Sequence, residues 1–445
     1  MRTGFAGARS QGGTLMEHNT FFRRAAALVL ILVFAAAAAL QGLAVYPMPI
    51  QTASETEAVY LFNADTGKTL LTQNADQPRY VASLTKMMTA LLLLESGKDL
   101  NGEVTVPTDL TQEFKDIQNA NGTTMGLRIG ETVRRIDLLN AMLITSANDA
   151  ASVIAWDVGG SLNAFIQQMN ARAAELGCTS ATFTCAHGLY DYGNVASAED
   201  MAKIAAACAA NETFAQVAGS TTYTLGQTNF HSEQRTISSS NPLMDASGAY
   251  YKDSVKWVKG GFTTLAGRCA LALAQKDGHT YGLVILGSDS NEHLYSECDE
   301  LFDWAFASFA DRPLVDTQTV VTTVDLTKCR IHPEVELYAA APVSGYGHAD
   351  DKVSYSFDLP ESVSATVKNG QKLGTATVYL DGYEVGQVDL VTHQEYVSDF
   401  RTDSRSTLLL LAALVVILLV LSVVTLACGG GSLNLNRRRR MKRRR

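Results

Sequence analysis

The sequence predicts a mixed α/β (α+β) domain over residues 52–312, a small all-β sandwich over residues 314–400 and a transmembrane helix over residues 407–427. Three observations lead to this division. Strand-like segments with hairpin turns flank a long middle stretch of apolar residues at helical spacing; short alternating strands separated by Asn-Gly and Asp-Gly turns follow; and an uncharged apolar run precedes a polybasic end. With 47% hydrophobic and 18% charged residues among 445, the chain has the composition of folded cores, not of a disordered protein.

Residues 1–50 read as a signal peptide or an N-terminal anchor. Arg23 and Arg24 precede the apolar run Ala25 to Val45, which is slightly long for a secretory segment and shows no clear cleavage site. At the other end, Thr407 to Ala427 is uncharged and long enough to span a bilayer, and residues 429–445 hold Gly429-Gly430-Gly431 and the basic tail Arg437 to Arg445. The positive-inside rule puts that tail in the cytoplasm and the middle of the chain outside it, on a cell membrane crossed once, or twice if the N-terminal segment is retained. The first 45 residues hold four arginines and one acid and the last 39 hold eight basic residues and no acid, which leaves 24 basic against 44 acidic side chains between them. Such an acidic segment argues against nucleic acid as a partner.

Six of the seven cysteines lie in this middle segment. Cys178 and Cys185 are close enough in sequence to close a small disulfide loop in an oxidising compartment, whereas spacing alone does not pair Cys208, Cys269, Cys298 and Cys329, and Cys428 is juxtamembrane. No CxxC or HExxH occurs and the eight histidines are scattered, so neither a metal site nor a cofactor is expected.

In chain order, Ala58 to Phe62 and Thr69 to Leu71 are strand-like and flank the turn-rich Asn63-Ala64-Asp65-Thr66-Gly67, a hairpin signal. Next comes Val81-Ala82-Ser83-Leu84-Thr85-Lys86 and the apolar run Met87 to Leu94, read as a helix ending near Gly97. On that helix Ser83 and Lys86 share a face, and a helix apolar on most sides is buried on most sides, where a lysine pKa falls until the amine can act as a base. Leu100 to Arg128 looks irregular. Ile136 to Leu143 has helical period and stops at Thr145-Ser146-Ala147-Asn148-Asp149, where a second apolar helix begins. Ser146 and Asn148 there read either as a helix cap or as a hydroxyl and an amide aimed into a cleft.

A helical stripe from Leu162 to Leu176 is core, and Cys178 to Leu189 is a loop in which the lone His187 reads as structural. Further on, Trp257 to Thr263, Arg268 to Gln275 and Thr280 to Gly287 are strands, the last two joined by an Asp277-Gly278 turn. Lys259 is expected at the end of an edge strand, followed by Gly260 and Gly261, which mark either close ligand approach or a bulge. The stripe Phe302, Ala305, Phe306, Phe309 closes the domain, and Thr319 to Val324, Glu334 to Tyr338, Lys352 to Phe357 and Thr375 to Leu380 build the β-sandwich.

By itself Ser-x-x-Lys recurs by chance, but Ser83-x-x-Lys86, Ser146-x-Asn148 and Lys259-Gly260-Gly261 stand in the order found in serine β-lactamases and penicillin-binding proteins, whose third member is Lys-Thr-Gly. With the surrounding Arg79 to Leu91, Leu143 to Ala151 and Gly261 to Gly267, and with Val367 to Gly374 further on, the chain resembles the low-molecular-weight penicillin-binding proteins, the D-alanyl-D-alanine carboxypeptidases of the DacA type, over residues 55–400.

The resemblance implies a transpeptidase-like domain of the serine β-lactamase/penicillin-binding-protein kind that trims the stem peptide of peptidoglycan and is trapped by β-lactams. Ser83 is implied as the nucleophile, Lys86 as its base, Ser146 as a proton relay and Asn148 as the residue that orients Lys86 and the substrate amide. Lys259, Gly260, Gly261, Phe262 and Thr263 are implied to bind substrate, Lys259 attracting the terminal carboxylate. The N–H groups of Ser83 and Phe262 are implied as an oxyanion hole worth about 3 kcal/mol per donor. The departure is Gly260, where the family usually has threonine; one lost charge-assisted hydrogen bond costs about 1.5–3 kcal/mol, and Thr263 is a candidate to offset it. That departure keeps open a catalytically weak wall-binding homologue, and a β-lactamase-like hydrolase is the other alternative. The family also commonly ends in an amphipathic surface helix, where this chain has an apolar run.

Overall fold

The computed structural model describes residues 46–189, 193–329, 331–398 and 403–440, so the N-terminal segment Ala25 to Val45 lies outside the described residues. The chain divides into two compact units at Phe309/Ala310.

In the first unit, β1 (Ala58–Asn63) and β2 (Thr69–Gln73) form the expected hairpin, turned where the Asn63 side-chain oxygen accepts the N–H groups of Asp65 and Thr66 at 2.9 Å each. They join β3 (Val255–Thr263), β4 (Gly267–Lys276) and β5 (His279–Ser288) in one antiparallel sheet ordered β2-β1-β5-β4-β3. Alternation along β4 and β5 gives this sheet two apolar faces. Leu271, Leu273, Val284 and Leu286 belong to the helical core on one side. Tyr281 faces the other, where its ring meets Phe306 of α8 (Asn291–Ser308) edge-on with centroids 5.1 Å apart.

The helical layer is built around α1 (Lys86–Glu95), buried on most sides as its composition requires. It packs against α3 (Arg135–Ile144), α4 (Asn148–Gly159), α5 (Leu162–Glu175), α6 (Ala198–Ala209) and α7 (Glu212–Ala218). Side chains cap several of these helices: Ser161, Ser197 and Asn211 each accept an N–H from the first turn of α5, α6 and α7.

Leu100 to Arg128 is not all irregular, because α2 (Thr111–Asn119) lies within it. Among its nine residues Ile117 alone is buried, so there was no apolar period to read. The Cys178–Cys185 disulfide is not formed: Cys178 Sγ points at the Asp200 carbonyl (3.6 Å) while Cys185 Sγ accepts the Gly188 N–H (3.2 Å), and no disulfide joins any two of the described cysteines.

Up to residue 398 the second unit is all-β. Its main sheet runs in the order Val353–Asp358, Lys372–Leu380, Tyr383–Val391, Glu334–Ala339, Val320–Thr327, Ser362–Ser364, and Phe309–Val315 pairs separately with Val343–His348. Val335, Leu337, Ala376, Val378 and Leu390 are its core. The helix α9 (Asp403–Arg440) contains Thr407–Leu426, 20 residues long and apolar enough to cross a membrane by length and composition.

Candidate active site

Ser83 sits in a 3-10 turn, Ala82–Thr85, that leads directly into α1, rather than on the α-helix itself. Its amide lies in the first turn of a helical segment and so lacks an intrahelical acceptor. Ala82 holds φ +46° and Ser146 φ +62°, two non-glycine residues in the left-handed region on either side of the same cleft. The loop that follows α5 packs flush on the Ser83 turn: a Cβ on Gly188 (φ +76°) would lie 1.8 Å from the Ala82 carbonyl oxygen, so glycine is required there.

Lys86 is fully buried beneath Ser83. Its Nζ lies 3.0 Å from Ser83 Oγ, 2.8 Å from Asn148 Oδ1 and 2.7 Å from the His187 carbonyl oxygen. Burial, reinforced by the nearby positive charge of Lys259, pushes the Lys86 pKa well below the ordinary lysine value. A neutral amine has two N–H donors and one lone pair. Asn148 Oδ1 and the His187 carbonyl can only accept, so they take both donors and leave the lone pair facing the Ser83 hydroxyl.

The capping interpretation of Ser146 and Asn148 does not hold, since neither side chain caps α4. The Asn148 amide instead reaches both ways, accepting from Lys86 and donating through Nδ2 to the Thr123 carbonyl at 2.9 Å. Asp149 fixes that strap of chain, its carboxylate accepting the N–H groups of Met125, Gly126 and Leu127 at 3.0 Å each. His187 is held by Glu113 (Nε2 to Oε1, 2.9 Å), which also accepts from Ser152 Oγ at 3.1 Å.

β3 supplies the opposite wall. Lys259 lies in the middle of this edge strand, not at its end, and its Nζ donates to Ser146 Oγ (2.9 Å) and to the Gly260 carbonyl (2.8 Å). Ser146 therefore accepts from Lys259 and keeps its own O–H for the cleft. Burial lowers the Lys259 pKa to about 7. A Cβ on Gly261 would fall 2.9 Å from the Ser83 nitrogen, so the strand passes directly beside that amide; Gly260 has room, its nearest neighbour being Asn241 Nδ2 at 3.6 Å.

Ser83, Ser146, Asn148, Lys259, Gly260, Gly261 and Phe262 line one cleft of about 510 Å³, with Lys86 under its floor. Thr263 is not brought to the wall; its hydroxyl oxygen accepts the Ala266 N–H (3.0 Å) in the β3–β4 turn. Sequence reasoning missed the Thr123 and His187 carbonyls, Glu113 and Asp149. The signals were the Asn148-Asp149 pair at a helix start and the His187-Gly188 turn. Among the described residues no group of three or more His, Cys, Asp or Glu side chains is placed to hold a metal ion.

Comparison with known proteins identifies the family. The family described as D-alanyl-D-alanine carboxypeptidase matches residues 47–290, and the C-terminal domain of penicillin-binding protein 5 matches residues 309–398. The chain is 27% identical to the D-alanyl-D-alanine carboxypeptidase DacF of Bacillus subtilis over 335 residues, 75% of this chain and 83% of that one. It is 28% identical to DacC of Escherichia coli over 352 residues, 76% of this chain and 83% of that one. In fold it is similar to penicillin-binding protein 5 of Haemophilus influenzae, with a TM-score of 0.56 at 24% identity over 79% of this chain and 99% of that one. Because the match spans more than half the sequence, the chain belongs to the D-alanyl-D-alanine carboxypeptidase family, the serine-type carboxypeptidases among the low-molecular-weight penicillin-binding proteins.

Proposed function

We propose that this protein removes the terminal D-alanine from peptidoglycan stem peptides through an acyl-enzyme on Ser83, and that β-lactams acylate the same serine. The observation that carries this reading is the Lys86 environment, in which two carbonyl-type acceptors occupy the amine's donors and its lone pair meets Ser83 Oγ at 3.0 Å. Ser83 Oγ attacks the carbonyl carbon between the two D-alanines as its proton passes to Lys86 Nζ. The oxyanion forms between the N–H of Ser83 and that of Phe262. Ser146, hydrogen-bonded to Lys259, hands its proton to the departing amine and is restored by the one Lys86 took, and D-alanine leaves; Lys86, neutral again, takes a proton from the water that attacks the ester and returns it to Ser83.

Lys259 carries positive charge at the cleft wall for the substrate's carboxylate. The apolar helix Thr407–Leu426 anchors the protein in the cell membrane with residues 52–400 on the outer side, where the wall polymer is.

The test is the intact mass of the purified protein after incubation with benzylpenicillin, beside Ser83→Ala, together with D-alanine release from a D-Ala-D-Ala peptide. A penicillin adduct and D-alanine release, both lost in Ser83→Ala, are expected. A folded wild type that stays unlabelled and releases no D-alanine refutes the reading.

A further inference from the structure

Among the described residues the walls of the cleft carry two cationic side chains, Lys259 and Arg268, and no aspartate or glutamate. Lys259 is already tied to Ser146 and the Gly260 carbonyl. Arg268 is not tied to an acid. It stands on β4 directly across from Phe262 of β3, with its guanidinium carbon 3.9 Å from the centre of the Phe262 ring, which is itself 53% exposed at the mouth of the cleft. Its Nε is buried and has no hydrogen-bond partner, and among the described residues the guanidinium has no ion pair. Its charge is felt by the Tyr295 phenol, opposing the upward push of burial there.

A guanidinium stacked on an aromatic face keeps its edge donors in the ring plane and loses little freedom when they engage. Leaving a buried donor such as Nε unmade costs free energy unless a ligand completes it, and the ligand that matches the planar fork of guanidinium donors is a carboxylate.

Side chains alternate along a strand, so a side chain at position 260 would project to the same face as Phe262 and its cross-strand neighbour Arg268. That position is glycine, and a Cβ there would meet nothing closer than Asn241 Nδ2 at 3.6 Å and the Cys269 carbonyl oxygen at 4.0 Å. We propose that Arg268, laid on the Phe262 ring beside the gap left by Gly260, is a second carboxylate-binding residue of this cleft. The proposal rests on the peptidase reading above. The carboxylate is either that of the terminal D-alanine or one on the residue preceding D-Ala-D-Ala, and the two are separable by substrate.

The test uses the full chain and three peptides: one ending in D-Ala-D-Ala with a neutral side chain before it, its C-terminal amide, and one with a carboxylate on that preceding side chain. D-alanine or D-alaninamide release is measured for wild type, Arg268→Gln and Arg268→Lys. If Arg268 holds the terminal carboxylate, Arg268→Gln lowers the free-acid to amide ratio of kcat/KM by about tenfold, through KM, and Gly260→Thr added to it restores part of that ratio. If it holds the side-chain carboxylate, the loss falls on the third peptide relative to the first.

Equal losses on all three peptides mean a merely structural role and overturn the proposal, as does a change under about twofold on all three. A wild type that releases nothing from any peptide overturns the peptidase reading and this one with it, whereas an active wild type with an unaltered Arg268→Gln overturns this one alone.

Discussion

Gly260 and Gly261 are adjacent on β3, yet an added methyl group is expected to have opposite consequences at the two. A Cβ at 261 would stand 2.9 Å from the Ser83 nitrogen, 3.1 Å from Ala82 Cβ and 3.4 Å from the Val81 carbonyl oxygen. Ordinary contact begins near 3.4 Å, so the strand and the Ser83 turn must separate by about 0.5 Å, and the closest atom is backbone that cannot swing aside. Those two segments carry the proposed oxyanion donors. Removing one such donor costs about 10²–10³ in kcat, and a misplacement of this size is expected to cost acylation about 100-fold.

At 260 the nearest atoms are Asn241 Nδ2 at 3.6 Å and the Cys269 carbonyl oxygen at 4.0 Å, so Gly260→Ala should acylate within about twofold of wild type. The assay is the second-order rate of labelling by a fluorescent penicillin in stopped flow, with near-ultraviolet circular dichroism to confirm that each variant is folded. A folded Gly261→Ala that labels within about threefold of wild type, or a Gly260→Ala that loses as much as Gly261→Ala, would refute the assignment of β3 to the oxyanion site.

Two further outcomes concern protons. Lys86 must be neutral to take the Ser83 proton and Lys259 charged to draw a carboxylate, so penicillin labelling should rise with pH as Lys86 deprotonates and fall as Lys259 does so near its value of about 7. Lys259→Arg, which stays charged, should remove the falling limb, and its persistence in that variant would reject the role given to Lys259. Separately, Glu57 is fully buried beside the Glu297 carboxyl and the Ser288 hydroxyl; burial, then the charge of Glu297, holds its pKa well above the usual carboxylate range. The native state thus keeps a proton that the unfolded chain releases above its ordinary value of 4.5, so wild-type stability falls as pH rises from there toward the raised native value. Glu57→Gln removes this slope, and its Tm advantage should grow between pH 5 and 8, by about 2–4 °C for each kcal/mol relieved; a flat difference would show that the carboxyl is not buried in this way.

Much of the site was legible in the sequence because its side chains come in tight local groups: Ser83 with Lys86 on one turn, Ser146 with Asn148 at a helix start, and Lys259 before two glycines. What stayed hidden acts through the backbone. The Thr123 and His187 carbonyls that engage Asn148 and Lys86 carry no residue signature, and His187 attracted notice only for a ring that turns away to Glu113. Helix α2 was invisible because a helix with one buried residue leaves no apolar stripe. The role of Arg268 depends on cross-strand register, which fixes its partner as Phe262 and which a strand pattern alone does not supply.

The touch between β3 and the Ser83 turn has a mechanical side as well. Ser83 belongs to the helical layer and Phe262 to the last strand of the sheet, and an edge strand, hydrogen-bonded on one side, is among the parts of a sheet that open most readily. An ester on Ser83 whose oxygen reaches the Phe262 amide would act as a rivet between these layers. Amide hydrogen exchange along Val255–Thr263 should then slow once the drug is attached, so that occupancy of the serine can be followed as the stiffening of a seam.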